Sequence, residues 1–325
     1  MQLDPRLCAL RDDDAPQRVA QAAQYRALAR WRESSGAGAL EAELGGFARG
    51  GKLEDFPLLA ACFDGSDGAA CTLVGGLVRE LSQALKAEPL GHVPLRHFTD
   101  GAISTLLIAR SGPVSLALAA IDPVALQRRA PPTSVSYPPT ESWEHVLAGR
   151  ASGELIDCEP GPAGSAVLTR TAITLVPGTV LIRDSQRRAL SLRRVEGALV
   201  TLRLQRRRPG GEVTREYSLA EGKLVHQAAG SARDSRLELA AALLGRMGRT
   251  EAAPLLAAMA QEQGSDGLRW QVLRECLALD TAAGFRALAA IAAAPSDPLA
   301  LPAGALRAQL VERHPVLKEL APCPA

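Results

Sequence analysis

Lysine is scarce in this chain: only Lys52, Lys86, Lys223 and Lys318 among 37 basic residues, which 35 acids offset to a net charge of +2. The arginine and alanine richness is therefore a compositional bias and not a field built to attract polyanions. The six cysteines (Cys8, Cys62, Cys71, Cys158, Cys276, Cys323) include no C-x-x-C pair, which argues against a zinc knuckle or a redox dithiol. No uncharged run reaches the roughly 18 residues of a membrane-spanning helix. Asp4 and Asp12 to Asp14 stand where a secretory signal would be basic and then apolar, so the expected location is cytoplasmic, with reduced thiols. No G-x-S-x-G elbow, P-loop or H-E-x-x-H helix is present.

What the chain does have is three stretches of different period. A length of 325 residues, 47% of them hydrophobic, suits two or three globular domains. Residues 1–94 read as helices. Tyr25, Leu28 and Trp31 recur at helical spacing. In Ala69–Ala87 the residues Leu73, Val74, Leu77, Val78, Leu81 and Leu85 form one apolar stripe. That stripe packs on the rest of the molecule or, as the alternative, forms a homodimer interface. Carboxylate pairs such as Glu54 and Asp55 sit in turn-like sequence, where capping explains them.

Residues 95–230 change to period two. Eleven short β-runs are predicted, among them Trp143–Leu147, Glu154–Cys158, Ala189–Val195 and Ala198–Gln205, with Gly, Pro or Asp at most joints. In the last of these Val200, Leu202 and Leu204 alternate with Thr201, Arg203 and Gln205, which puts Arg203 on the wet side of its strand. Residues 231–325 return to helical spacing. Arg236 and Arg269 lie 33 positions apart, as do Leu244 and Leu277, an offset typical of stacked helix pairs. The expected fold is a multidomain α+β chain: an antiparallel β-barrel between an N-terminal helical segment and a HEAT-like C-terminal region.

The centre of the β-region is Ala172–Arg188, AITLVPGTVLIRDSQRR, in which two apolar runs meet at Pro177-Gly178. This resembles the second conserved segment of the cupin superfamily. Ser134-Val135-Ser136, Glu141 and Gly149 fall where the first segment would lie. The flanking layout, SGPVSLALAAIDP and SWEHVLAGRASGELIDCE, is similar to the thiol dioxygenase branch. The resemblance covers roughly residues 95–230 and implies a barrel with a metal held by histidines. Here serines take the two first-segment histidine positions and Arg187 to Ala189 the second-segment one. A serine hydroxyl is a feeble ligand and a guanidinium repels a cation. On that resemblance Ser134, Ser136, Tyr137, Glu141 and Arg188 are the expected ligand-binding residues, with no metal.

Histidine supplies the alternative ligand set: His92, His97 and His145, holding iron. His145 is four residues from Glu141, so in a strand the two share a face. Between Arg183 and Arg215 ten arginines meet three acids. They form a solvated face, a site for an anion or a protein, or a nucleic-acid surface. The last is disfavoured, because no aromatic in the span is available to stack on bases. The leading expectation is a non-enzymatic binding or scaffold protein that takes a small anion in the barrel or a protein partner, the latter through its helical repeats. The alternatives are an iron-dependent thiol dioxygenase-like enzyme and a basic regulator binding nucleic acid.

Overall fold

The computed structural model describes residues 10, 13–34, 36–66, 68–208 and 213–320; Cys8, Cys323, Asp4 and Asp12 lie outside them. It is a mixed α+β structure with antiparallel sheets and two compact units. One unit lies within Met1–Thr133 and Thr140–Arg207, the other within Ser134–Pro139 and Arg208–Ala325.

The first unit begins with helices α1 (Ala15–Ser34), α2 (Ala37–Ala48), α3 (Pro57–Ala61) and α4 (Gly68–Ala87). The stripe of α4 is core: Leu73, Val74, Leu77 and Leu81 are buried, and the Trp31 indole N–H donates to the Leu73 carbonyl at 2.9 Å. Asp55 accepts from the Lys52 backbone N–H at 2.8 Å, a turn cap. These helices share one core with a sheet face carrying Ile108, Val114, Leu116, Trp143, Leu202 and Leu204, so residues 1–94 are not packed as a separate body. Fully burying one such leucine is worth about 2 kcal/mol.

That sheet is built from β1 (His97–Thr99), β2 (Ile103–Ser111), β3 (Val114–Ile121), β5 (Thr140–Pro160), β6 (Ala166–Leu175), β7 (Val180–Asp184) and β8 (Arg188–Arg207), with a short helix α5 (Pro123–Gln127) after β3. Its order is β1-β2-β3-β8-β5-β6, with β7 also on β5. The two ends, β1 and β6, do not pair, so the sheet is open and not the closed barrel that the sequence suggests. Two of the predicted strand breaks are absent as well. Trp143–Leu147 with Glu154–Cys158, and Ala189–Val195 with Ala198–Gln205, are each one long bent strand.

The glycines responsible mark bulges, not turns. Register shifts in the β5–β8 ladder fall around Ala148 and at Ser152/Gly153. Gly149 has φ +81°, and a Cβ there would lie 2.3 Å from the Ala198 carbonyl oxygen. The bend is nearly a full fold. Asp184 lies opposite Glu141 and Arg188 opposite Asp157. The four residue steps from Asp184 to Arg188 reach about 14 Å at most. A straight β5 would separate Glu141 from Asp157 by about 53 Å. The β5–β8 ribbon therefore doubles over, and its inner face holds a second core of Ile121, Val146, Ala151, Leu175, Val195 and Leu199.

Pro177-Gly178 is a turn, with Thr179 N–H donating to the Val176 carbonyl at 3.0 Å, yet it does not reverse the chain. Both β6 and β7 run antiparallel to β5 on the same edge, so the turn is a step between two collinear strands.

The second unit holds a sheet of order β10-β9-β4, from β4 (Ser134–Tyr137), β9 (Thr214–Ser218) and β10 (Leu224–Ala228). Five helices follow: α6 (Ala232–Arg246), α7 (Ala253–Gln261), α8 (Asp266–Leu279), α9 (Thr281–Ala292) and α10 (Ala300–Arg313). Ser231 caps α6 and Asp280 caps α9 by accepting from Asp234 and Ala283 N–H groups. Helix α6 packs on α8, α7 on α8 and α9, and α9 on α10, around Val272, Leu273, Cys276, Phe285 and Leu288. The two arginines spaced 33 apart differ: Arg236 is exposed, whereas Arg269 is buried, donating to the Ala260 carbonyl at 2.9 Å and to both Asp297 oxygens.

Candidate functional site

Strand alternation divides β5 between the two faces of the folded sheet. Glu141, Trp143, His145 and Leu147 face the helices, and Thr140, Ser142, Glu144 and Val146 face inward. The ladders bring Arg203 directly opposite Glu144 and Thr201 opposite Val146 on β8, and Arg183 opposite Ser142 on β7. The inner face thus carries a carboxylate between two guanidiniums.

Glu144 is 4% exposed. Its Oε1 accepts from Arg183 Nη2, and its Oε2 accepts from Arg203 Nη2 at 3.3 Å. Burial pushes the Glu144 carboxyl up, but the Arg203 and Arg183 charges together outweigh it and hold the group below the usual carboxylate range. Ser142 Oγ and Ser185 Oγ, both buried, lie 3.5 Å apart at the same face.

The cluster is not saturated by protein. Eight buried side-chain nitrogen and oxygen atoms among the described residues lack a hydrogen-bond partner, and four of them are here: Arg183 Nε, Arg203 Nε, Thr201 Oγ1 and Thr140 Oγ1. Folded proteins leave few such atoms, because an unpaired buried donor costs about 1–3 kcal/mol. Two buried guanidinium N–H groups on the same face as two hydroxyls make a donor set suited to an oxyanion. Opposite Arg203 and Thr201 on β3 stand two small buried side chains, Ala117 and Ala119.

No family model and no curated protein matches the chain. Solved structures with a partial likeness are cupin-type proteins. HutD from Pseudomonas fluorescens SBW25 is 17% identical, over 37% of this chain and 61% of that one, at a TM-score of 0.24. KdgF from Halomonas sp. is 16% identical over 35% of this chain and 88% of that one, at 0.23. An oxalate decarboxylase is 14% identical over 40% of this chain and 34% of that one, at 0.25.

The residues expected from the sequence lie elsewhere. Ser134, Ser136 and Tyr137 are on β4 in the second unit, where Ser134 donates to Glu216 and Tyr137 packs edge-on against Tyr217 at 6.0 Å. Glu141, on the helix-facing side of β5, pairs with Arg206 at 2.7 Å, and that guanidinium lies 4.2 Å from the centre of the Phe47 ring. Arg188 is exposed and forks onto Asp157, whose hydrogen bonds and then charge raise the Arg188 pKa further. Arg187 is exposed as well. Among the described residues, at least seven of the ten arginines between Arg183 and Arg215 stand within 4 Å of a carboxylate.

His145 does share the helix-facing side with Glu141. It is fully buried, and its Nδ1 lies 2.8 Å from the Cys62 carbonyl oxygen. Since a carbonyl only accepts, Nδ1 is the donor in this contact. His92 and His97 line an apolar groove of about 540 Å³ between α4 and β1–β2, together with Leu77, Leu81, Val93 and Leu106. Among the described residues no group of three or more His, Cys, Asp or Glu side chains could hold a metal ion.

Arg203 corrects the sequence reading most directly. Its alternation with Val200, Leu202 and Leu204 suggests a wet face, yet that face is the inside of the folded sheet. In the sequence Arg183 is one of ten clustered arginines and Glu144 one acid in a β-run, and neither is distinguished as an inward residue. A signal was present: Glu144 lies inside a run otherwise rich in buried apolar residues.

Proposed function

We propose that the folded sheet of the first unit is a cupin-like binding module, without a catalytic step of its own, that takes a small anion on Arg183 and Arg203. The observation that carries this reading is the pair of buried Nε–H groups without protein partners, placed around a carboxylate that already occupies the guanidinium ends. An anion accepting from both would remove the cost of two orphan donors as it binds. The helix pairs of the second unit, in which α6 lies on α8 and α7 on α9, are the protein-binding half of the proposal, read as a HEAT-like stack.

The test is thermal melting in the presence of acetate or phosphate at constant ionic strength. A ligand that binds only the folded state raises the melting temperature. Arg203→Gln and Arg183→Gln are expected to remove the rise, and Arg188→Gln to leave it intact. A rise that survives in both inner-face variants, or disappears with Arg188→Gln, would place the anion elsewhere.

A further inference from the structure

We infer that Glu144 fixes the charge of the anion this site accepts, so that the inner face of the first unit selects a monoanion, such as a simple carboxylate, over a dianion. The inference rests on the anion-binding reading above and deepens it. It follows from a charge count. Five strands wall this part of the fold, and alternation assigns their inward residues. From β2 these are Ile103, Thr105 and Leu107, which pair with Ile121, Ala119 and Ala117 of β3, and none is ionisable. From β8 the inward residues are Leu199, Thr201, Arg203 and Gln205. From β7 they are Leu181 and Arg183, and from β5 Thr140, Ser142, Glu144 and Val146. Arg110 and Arg207 follow the same alternation at the end of this face but are exposed to solvent, and on the other half Arg188 is paired with Asp157, so the charged groups held inside are two guanidiniums and one carboxylate, a balance of one positive charge.

A bound monoanion brings that balance to zero. A dianion leaves one uncompensated negative charge among buried groups, within a few ångströms of Glu144. At an effective dielectric constant of about 20, two like charges about 5 Å apart repel strongly enough to shift an equilibrium by well over tenfold. The donor geometry points the same way. Each guanidinium already spends an Nη on Glu144, and each offers a buried Nε. Two single N–H donors, one from β7 and one from β8, equal in number the two oxygens of one carboxylate group.

The test compares acetate with sulfate in thermal melting titrations at matched ionic strength. A variant with both Arg183→Gln and Arg203→Gln registers the general effect of each salt on stability, which is appreciable for sulfate. The wild-type protein is expected to bind acetate more tightly than sulfate, and Glu144→Gln to shift the ratio toward sulfate by about tenfold or more. Should Glu144→Gln fail to fold, Glu144→Asp keeps the balance of one positive charge with both arginines in place and is expected to keep the acetate preference. If the wild-type shows neither anion beyond the double-arginine control, the anion-binding reading falls and this inference with it. If the wild-type binds sulfate as well as acetate, if Glu144→Gln leaves the ratio unchanged, or if Glu144→Asp prefers sulfate, the anion site stands and the role of Glu144 is overturned.

Discussion

Arg203 stands directly across the β5–β8 ladder from Glu144, and their side chains meet at 3.3 Å on the inner face of the ribbon, with Glu144 buried and Arg203 half-buried. Arg183 reaches the other carboxylate oxygen from β7. Removing one member therefore costs far more than a surface pair would. Glu144→Ala leaves two buried guanidiniums facing each other and is expected to lower unfolding free energy by about 3–5 kcal/mol, read from urea denaturation. Replacing all three by apolar residues of similar volume is expected to cost little or to stabilise. A loss below about 1 kcal/mol for Glu144→Ala would show that the triad does not hold the ribbon.

The same pair sets an acid limit. The folded state holds the Glu144 pKa below its unfolded value, near 4.3. A depressed carboxylate contributes stability that is complete above the unfolded pKa and is lost as pH falls through the folded one. Wild-type stability should thus fall below about pH 4.3, and a Glu144→Gln variant should show a shallower fall across that window. Urea midpoints between neutrality and acid pH give both slopes; equal slopes would count against the assignment.

The bend of the ribbon depends on Gly149 more than on Gly197. Both have positive φ, +81° and +70°, but a Cβ on Gly149 would meet the Ala198 backbone, whereas Gly197 faces open space. Gly197→Ala should cost about 1 kcal/mol for its backbone conformation alone. Gly149→Ala should cost about 3 kcal/mol or more, since backbone must also move. Comparable losses at the two sites would mean the β5–β8 approach is looser than described.

Cysteine reactivity offers a check on the helix-facing side. Cys62 is buried, and its thiol is pushed up to about 11, first by burial and then by Asp64 and Glu43. Only the thiolate reacts, so Cys62 should resist alkylation at neutral pH until the protein unfolds, while the half-exposed Cys71 is modified in the native state. Peptide mapping after brief alkylation distinguishes them, and early labelling of Cys62 would contradict its placement beneath His145.

The histidine candidates and the serines of β4 show how far a family layout can be followed. Spacing located a β-rich region between helical ones, and the Pro177-Gly178 turn is present. Whether that turn reverses the chain depends on which strand each run pairs with, and both pair with β5. Ser134 to Tyr137 lie only three residues from β5 in sequence, yet they pair with β9. Such partners are chosen by backbone ladders between distant segments, which no local pattern records.

What the sequence determined alone is the period of each stretch: the apolar stripe of α4, the helical return after Ser231 and the alternation of Val200, Leu202 and Leu204. These follow from local geometry, because a side chain's direction along a helix or strand is set by its neighbours in the chain. What the tertiary structure decided is the meaning of the opposite face. Arg203 alternates as a solvent-facing residue would, and only the doubling of the β5–β8 ribbon turns its side of the strand inward, onto Glu144. Alternation distinguishes two faces of a strand, but the fold determines whether the polar one meets water or a buried counter-charge.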